Sequence, residues 1–432
     1  MSELSRRQFL KSGLASSLLL FNGCSLWPQR STAKAHVIIV GGGFGGATAA
    51  KYLRLFSPNL KITLIEPKSR YLACPGSNGV FAGITTLEQL STDYQRLRQR
   101  HQINVISDSV SSIKPQQRQV ELSGGNRLSY DRLILSPGIA FRWDTIDGYS
   151  QSLSEQFPHA WQAGQQTLLL NDQLQNLPDN GTVLICPPAD PYRCPPGPYE
   201  RASLMAYWLK RHKPRAKILI LDPKRSFSKQ TLFESGWKQH YGYGTANSLI
   251  EWHSLADNPI VALDAAGKTV ITAFGDRCRG DVINLIPPQT AGSIALESGL
   301  ADQSGWCPVN PISSESSISR FIHVIGDAAY FNPIPKSAFA ANSEAKMCAL
   351  ALSCLFNETE LPSPRWINTC YSLITADQAV SVSHSYRLSE AQSLAKAQIS
   401  GGISSKTDRE SLALEAGYAQ AAYRQLLEDS FY

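Results

Sequence analysis

The apolar run His36-Val37-Ile38-Ile39-Val40 leads directly into Gly41-Gly42-Gly43-Phe44-Gly45-Gly46, and an alanine-rich segment from Ala47 to Leu55 follows. A second apolar run, Lys61 to Ile65, stops at Glu66. Short uninterrupted apolar runs predict strands buried on both faces, and the alanine-rich segment between them predicts a helix. Strand, glycine turn, helix, strand and terminal acid together form a βαβ unit with a dinucleotide-binding fingerprint. Gly41 permits the tight turn, Gly43 lets the backbone approach a pyrophosphate, and Gly46 lets the helix pack closely on the strand. The amides at the helix N-terminus then face the phosphates, and Glu66 is placed for the adenosine ribose hydroxyls.

The pattern recurs once. Gly181 to Ile185 predicts a strand, and Lys217 to Leu221 predicts its partner, ending at Asp222. Between them the turn reads Cys186-Pro187-Pro188-Ala189-Asp190-Pro191-Tyr192-Arg193-Cys194-Pro195-Pro196-Gly197-Pro198. Proline has no amide proton and cannot reproduce a glycine's close backbone approach. The second unit is therefore expected to keep a nucleotide-domain architecture without binding NAD(P)H. Two further strands end in small-residue turns: Tyr130 to Gly138, and Phe321 to Ala329, which carries Gly326-Asp327. These two motifs resemble the accessory motifs of the two-dinucleotide-domain flavoproteins. That resemblance implies FAD, with Asp327 on its ribityl chain and Gly138, which ends the first of the two motifs, also in the cofactor site. The expected fold is α/β: an FAD domain of residues 36–147 and 288–358, split by an NAD-like insertion of 148–287, then a small C-terminal α+β lobe of 359–432. The serine-rich stretch Ser313 to Ser319 predicts a polar loop, and Ser411 to Leu427 a terminal helix with an apolar stripe of Leu412, Leu414, Tyr418, Ala421, Ala422 and Leu426.

Composition adds exclusions. With 43% hydrophobic and 18% charged residues in 432, the chain is neither disordered nor a polytopic membrane protein. The formal charge is +6, but residues 1–35 carry Arg6, Arg7, Lys11, Arg30 and Lys34 against Glu3, a net +4 that leaves only +2 on the rest. A body that near neutral gives no electrostatic case for nucleic acid. Arg6-Arg7-Gln8-Phe9-Leu10-Lys11 ahead of the short apolar run Leu14 to Phe21 resembles a twin-arginine export signal, which implies a periplasmic protein exported already folded. Gly23-Cys24 resembles a lipoprotein cleavage site, so Cys24 is a candidate lipid anchor. Thr32-Ala33-Lys34-Ala35 is the alternative cleavage pattern.

Eight cysteines remain beyond Cys24, and spacing alone assigns no pairing among them. Cys194 precedes an expected helix that has Gly197 as cap, Pro198 at its first position and Glu200 in its first turn. A helix N-terminus favours a thiolate, as redox cysteines require. Cys370 has no comparable local signature.

The segments Cys194 to Ser203, Lys229-Gln230, Asp281 to Gln289, Gly305 to Val309 and Asn368 to Ser372 closely resemble the flavoprotein subunit of flavocytochrome c sulfide dehydrogenase. The resemblance covers nearly the whole chain beyond residue 35. It implies that Cys194 and Cys370 form a redox-active disulfide over the flavin, with Glu200 a candidate acid or base. It also implies a thioether from Cys74, in Tyr71-Leu72-Ala73-Cys74-Pro75-Gly76, to the 8α carbon of FAD, although Pro75-Gly76 departs from the family's larger residues. Cys186, Cys278, Cys307, Cys348 and Cys354 are expected to be small core residues, and no metal ligands are assigned. Hydrosulfide would open the disulfide and leave as sulfur or polysulfide. No Cys-x-x-Cys-His occurs, so the electron acceptor is expected to be a separate c-type cytochrome. Two alternatives stand beside this: a sulfide:quinone oxidoreductase whose C-terminal element meets the membrane, and a non-enzymatic accessory flavoprotein of a sulfur-oxidation system.

Overall fold

The computed structural model describes residues 35–389 and 397–432. The arginine pair, Cys24 and the residues before Ala35 in the cleavage pattern lie outside the described residues.

His36–Val40 lies at the centre of a five-stranded parallel sheet. Its neighbours run in the order Ile322–Val324, Arg132–Leu135, His36–Val40, Lys61–Ile65, Asn104–Ile106. The strand at one edge thus arrives nearly two hundred residues after its neighbour, having passed through a second sheet on the way. That sheet is also parallel, in the order Ile250–Ser254, Lys217–Asp222, Thr182–Cys186, Val282–Leu285. Strands buried on both faces need apolar residues throughout. Val37, Ile38, Ile39, Val183, Leu184 and Ile185 all have no exposed surface. The antiparallel pair Ile139–Phe141 and Gln289–Ala291 carries the chain out of the first sheet region and back.

The three helices expected from the sequence form with shifted ends, beside others that were not expected. The first runs Phe44–Phe56 and lies against Ala338–Asn357, a helix capped by the Ser337 hydroxyl accepting from the Ala340 amide at 3.0 Å. Gly197–His212 begins one residue earlier than expected, with Pro196 as the cap. The C-terminal lobe is a three-stranded antiparallel sheet, Arg365–Leu373, Ala379–Arg387 and Gln398–Ile403, followed by the helix Arg409–Phe431.

One expectation needs correction. In the terminal helix Leu412, Ala416, Leu426, Ser430 and Phe431 are buried, whereas Leu414 and Tyr418 are more than half exposed. The buried stripe turns because the end of the helix is held by the first sheet's helices rather than by its own lobe. Thr48 donates to the Ser430 hydroxyl, Tyr52 donates to Asp429, and Phe431 stacks on Tyr71. The serine-rich stretch is the expected polar loop, with two of its serines turned inward. Ser314 and Ser316 are buried; the Val324 amide donates to the Ser314 carbonyl and the Ser316 amide donates to the Ile322 carbonyl. Four of the cysteines expected in the core are buried, and Cys278 is half-buried.

Candidate redox site

The glycine turn makes room that a side chain would fill. Gly41 has φ +97°, and a Cβ there would come within 2.2 Å of the Ser136 carbonyl oxygen; at Gly46 it would come within 1.8 Å of the Gly41 oxygen. A Cβ at Gly43 would meet only the Tyr71 ring, at an ordinary 3.5 Å, so protein packing does not require glycine at that position. Gly43 lines a cavity of about 770 Å³. The cavity wall also contains Gly41, Glu66, Cys74, Gly138, Cys194, Glu200, Asp327 and Cys370. Residues from the first unit, the second unit's turn and the C-terminal lobe therefore meet around one space. Gly46 lies behind it, between helix and strand.

This space fits a flavin dinucleotide. Its volume lies in the range of cofactor sites, and the Phe44–Phe56 helix starts at its edge. Asp327 follows the first sheet's edge strand, and its Oδ1 is buried with no partner in the protein. An unpaired buried acceptor facing a cavity calls for a donor, and the hydroxyls of a ribityl chain fit that requirement. Burial raises the Asp327 carboxyl above the usual range, opposed by Arg193 and Lys336. Glu66 spends part of its capacity on the turn, accepting from the amides of Gly42 at 2.8 Å and Lys68 at 3.0 Å. Cys74 follows the strand Arg70–Leu72, and its sulfur accepts from the Ala163 amide at 3.4 Å.

Cys194 and Cys370 approach the cavity from different parts of the chain, and both are free thiols in this structure. Cys194 sits at φ +57°, the left-handed region, on a turn tied down by its own amide donating to the Lys336 carbonyl at 2.8 Å. Its sulfur lies over the first helical turn, 3.2 Å from where a Cβ on Gly197 would stand. The expected thiolate preference at this helix start is not what the surroundings produce. Burial pushes the Cys194 thiol well up, and Cys370 and Glu200 push it further, against the cations Arg193 and Lys229. Glu200 accepts from Asn78 Nδ2 at 2.9 Å and from the Leu373 amide at 2.9 Å, joining the helix to the C-terminal lobe. Burial raises its carboxyl even so.

Three cations escaped assignment from sequence because only the folded contacts give them a role. Arg201, 2% exposed, ties Asn78, the carbonyls of His159 and Ala160, and Asn284 together around the cavity. Arg193 donates to the Trp161 carbonyl and faces Cys74 and Asp327. Lys229 is buried against the strand that carries Cys370. All three stand in or beside the quoted motifs, the only sequence signal that could have singled them out.

In the second unit the acid that ends the strand is engaged by the protein itself. Asp222 is fully buried; it accepts from Tyr199 at 2.6 Å and Trp252 at 2.9 Å, and pairs with Lys224 at 2.6 Å. Tyr199 stacks on Phe227 with centroids 3.8 Å apart, and Lys224 also donates to the Pro188 carbonyl.

Two parallel nucleotide-fold sheets around a dinucleotide cavity place the protein among the flavin-dependent reductases of the pyridine nucleotide-disulphide oxidoreductase class. The model for that class matches residues 35–174. The family models for the sulfide dehydrogenase [flavocytochrome c] flavoprotein chain, central region, and for the flavocytochrome c sulphide dehydrogenase flavin-binding region match residues 167–287 and 362–431. A sulfide dehydrogenase [flavocytochrome c] flavoprotein chain of Chlorobaculum thiosulfatiphilum is 57% identical over 44 residues, 10% of this chain and 92% of that sequence. The chain belongs to the family of flavocytochrome c sulfide dehydrogenase flavoprotein chains. A mitochondrial sulfide:quinone oxidoreductase of Dictyostelium discoideum is 23% identical over 72% of this chain and 68% of its own length. The crystal structure of the sulfide:quinone oxidoreductase of Aquifex aeolicus shares the fold, with a TM-score of 0.72 at 18% identity and 92% of each chain covered.

Proposed function

We propose that the protein oxidises hydrosulfide to sulfur or polysulfide through a Cys194–Cys370 disulfide and bound FAD, and passes the electrons to a separate c-type cytochrome. The observation that carries this reading is the meeting of Cys194, Cys370 and Glu200 in the wall of the dinucleotide cavity. In the oxidised protein the two thiols form a disulfide that hydrosulfide attacks, giving a cysteine persulfide and a thiolate. Glu200, with its raised carboxyl, exchanges protons with the sulfur species beside it. FAD, when bound, supplies a two-electron acceptor that can release electrons singly. Gly43 and the helix start at Phe44 hold its pyrophosphate, Glu66 its ribose and Asp327 its ribityl chain, while Cys74 holds it by a thioether. Acid precipitation is expected to leave the flavin on the wild-type protein and release it from Cys74→Ala; full release from wild type would refute the bond.

The proline turn and the engaged Asp222 support the reading that NADH and NADPH are not the reductants. The Arg6-Arg7 signal supports export to the periplasm, with or without a lipid on Cys24. The sulfide:quinone relatives favour quinone as the alternative acceptor, and the packed C-terminal helix speaks against it, because Leu412, Ala416, Leu426 and Phe431 face the protein. The deciding experiment is double mixing: protein reduced anaerobically with sulfide is mixed with a soluble c-type cytochrome or with a short-chain quinone. Fast flavin reoxidation by the cytochrome is expected, and fast reoxidation by the quinone alone would overturn the assignment of the acceptor.

A further inference from the structure

Lys229 is a buried ammonium with only neutral acceptors within hydrogen-bonding reach. It is 5% exposed, sits at φ +61° as the N-cap of the helix Gln230–Tyr241, and points into the C-terminal hairpin. There it donates to the Cys370 carbonyl at 3.0 Å, to Ser372 Oγ at 2.8 Å and, at 3.5 Å, to the Val380 carbonyl. Among the described residues no carboxylate lies within ion-pair distance of it. A buried charge without a counter-ion is costly, so the site is arranged for an anion that appears only during reaction. The groups facing Lys229 that can carry negative charge are Cys370 on its own hairpin strand, Glu200 on the Gly197–His212 helix, Cys194 on the turn and Glu415 on the terminal helix. Cys370 dominates among them. Burial brings the Lys229 ammonium down to about 8, close enough to neutrality to respond to such an anion.

The two sulfurs are surrounded differently. Cys370 has Lys229 as its principal neighbouring charge, and its sulfur lies 3.6 Å from Asn368 Oδ1, which also accepts from Ser337 Oγ at 2.6 Å. Apart from Cys370 itself, the first charge beside Cys194 is Glu200, ahead of Arg193, and Lys229 comes only after both. Arg193 itself is engaged with the Trp161 carbonyl.

Resting on the sulfide-oxidation reading above, we propose that Lys229 sets the direction in which the disulfide opens: hydrosulfide attacks Cys194, and Cys370 leaves as the thiolate. A new S–S bond forms between the incoming sulfur and Cys194, while the Cys194–Cys370 bond breaks and its electron pair departs with Cys370. One negative charge enters as hydrosulfide and one remains as the Cys370 thiolate. The proton stays on the terminal sulfur of the Cys194 persulfide, on the side where Glu200 can take it. A thiol–disulfide exchange runs faster when the leaving thiolate is the better stabilised one. Lys229 is thus a positioning residue that acts through Cys370.

The test is a single turnover of the wild-type protein with one equivalent of sulfide under anaerobic conditions, quenched with iodoacetamide and mapped by peptide mass spectrometry. The extra sulfur is expected on the Cys194 peptide, with Cys370 alkylated directly. Extra sulfur on the Cys370 peptide would overturn the assigned direction while leaving the disulfide reading intact. Extra sulfur on neither would overturn that reading and the assignment with it. In Lys229→Met the opening step should slow by ~10-fold or more, and the added sulfur should spread to both cysteines, with Lys229→Arg restoring wild-type behaviour. A folded, flavin-retaining Lys229→Met that keeps the parental rate and all its added sulfur on Cys194 would remove Lys229 from the account. If Lys229→Met fails to fold, the wild-type map alone decides the direction.

Discussion

The two βαβ units share one frame and use it in opposite ways. In the first, three residues, Gly41 to Gly43, separate strand from helix, and the space above them is open. In the second, ten residues, Pro187 to Pro196, separate Cys186 from the helix at Gly197, and Tyr199 stacks on Phe227 beside the Asp222–Lys224 pair. The terminal acids diverge likewise: Glu66 lines the cavity, whereas Asp222 is consumed by Tyr199, Trp252 and Lys224. The longer turn is what reaches the first unit's cavity, and it brings Cys194 there. A nucleotide fold with a long proline turn in place of the glycine turn can thereby carry a reactive group into its neighbour's site.

The comparison breaks most severely at Gly46. A Cβ 1.8 Å from the Gly41 oxygen cannot be accommodated without moving the helix from the strand. Gly46→Ala is expected to cost about 1–3 kcal/mol or more and to empty the flavin site, read as lost yellow colour after gel filtration and a lowered Tm. Full flavin content at the wild-type Tm would show that close helix packing does not shape the cradle.

A moderate effect is expected in the second unit. Tyr199→Phe leaves Asp222 with Trp252 and Lys224 but removes a 2.6 Å hydrogen bond to a buried carboxylate. Loss of about 1.5–3 kcal/mol is expected by denaturant titration, with sulfide reduction and flavin content unchanged. If the variant gained NADH-dependent flavin reduction, this contact rather than the proline turn would be what keeps the nucleotide out.

The smallest effect concerns Glu344, which accepts from the Gly326 amide at 2.7 Å behind the Asp327 turn. Burial pushes its carboxyl up to about 8, against the Gly326 hydrogen bond and Lys336. A group raised in the folded state stabilises fully below its unfolded value of 4.5, and that stabilisation is lost as pH rises through about 8. The Tm advantage of wild type over Glu344→Gln should therefore shrink between pH 5 and pH 8. An advantage that grows over that interval would reverse the sign.

Both nucleotide frames are legible in the sequence, because buried parallel strands need unbroken apolar runs and the glycine turn has a steric cause at Gly41 and Gly46. The proline turn is legible for the same reason in reverse. Other features depend on long-range contacts that no local pattern encodes. Cys370 meets the cavity only because the C-terminal hairpin folds over it, and Lys229 acquires its role from that hairpin. The thiolate preference expected at Cys194 followed from the helix start alone and failed against burial and Glu200. The stripe of the terminal helix was misread at Leu414 and Tyr418 because the far end of the helix, at Ser430 and Phe431, is held by the first unit.

The central claim is that electrons reach the flavin only through the Cys194–Cys370 pair. Its most direct test is an anaerobic titration of the purified flavoprotein with sulfide, following the flavin absorbance in wild type, Cys194→Ser and Cys370→Ser. Wild type should bleach with sulfide, and both variants should retain flavin and bleach with dithionite but not with sulfide. Folded variants that bleach with sulfide at the parental rate would contradict the account.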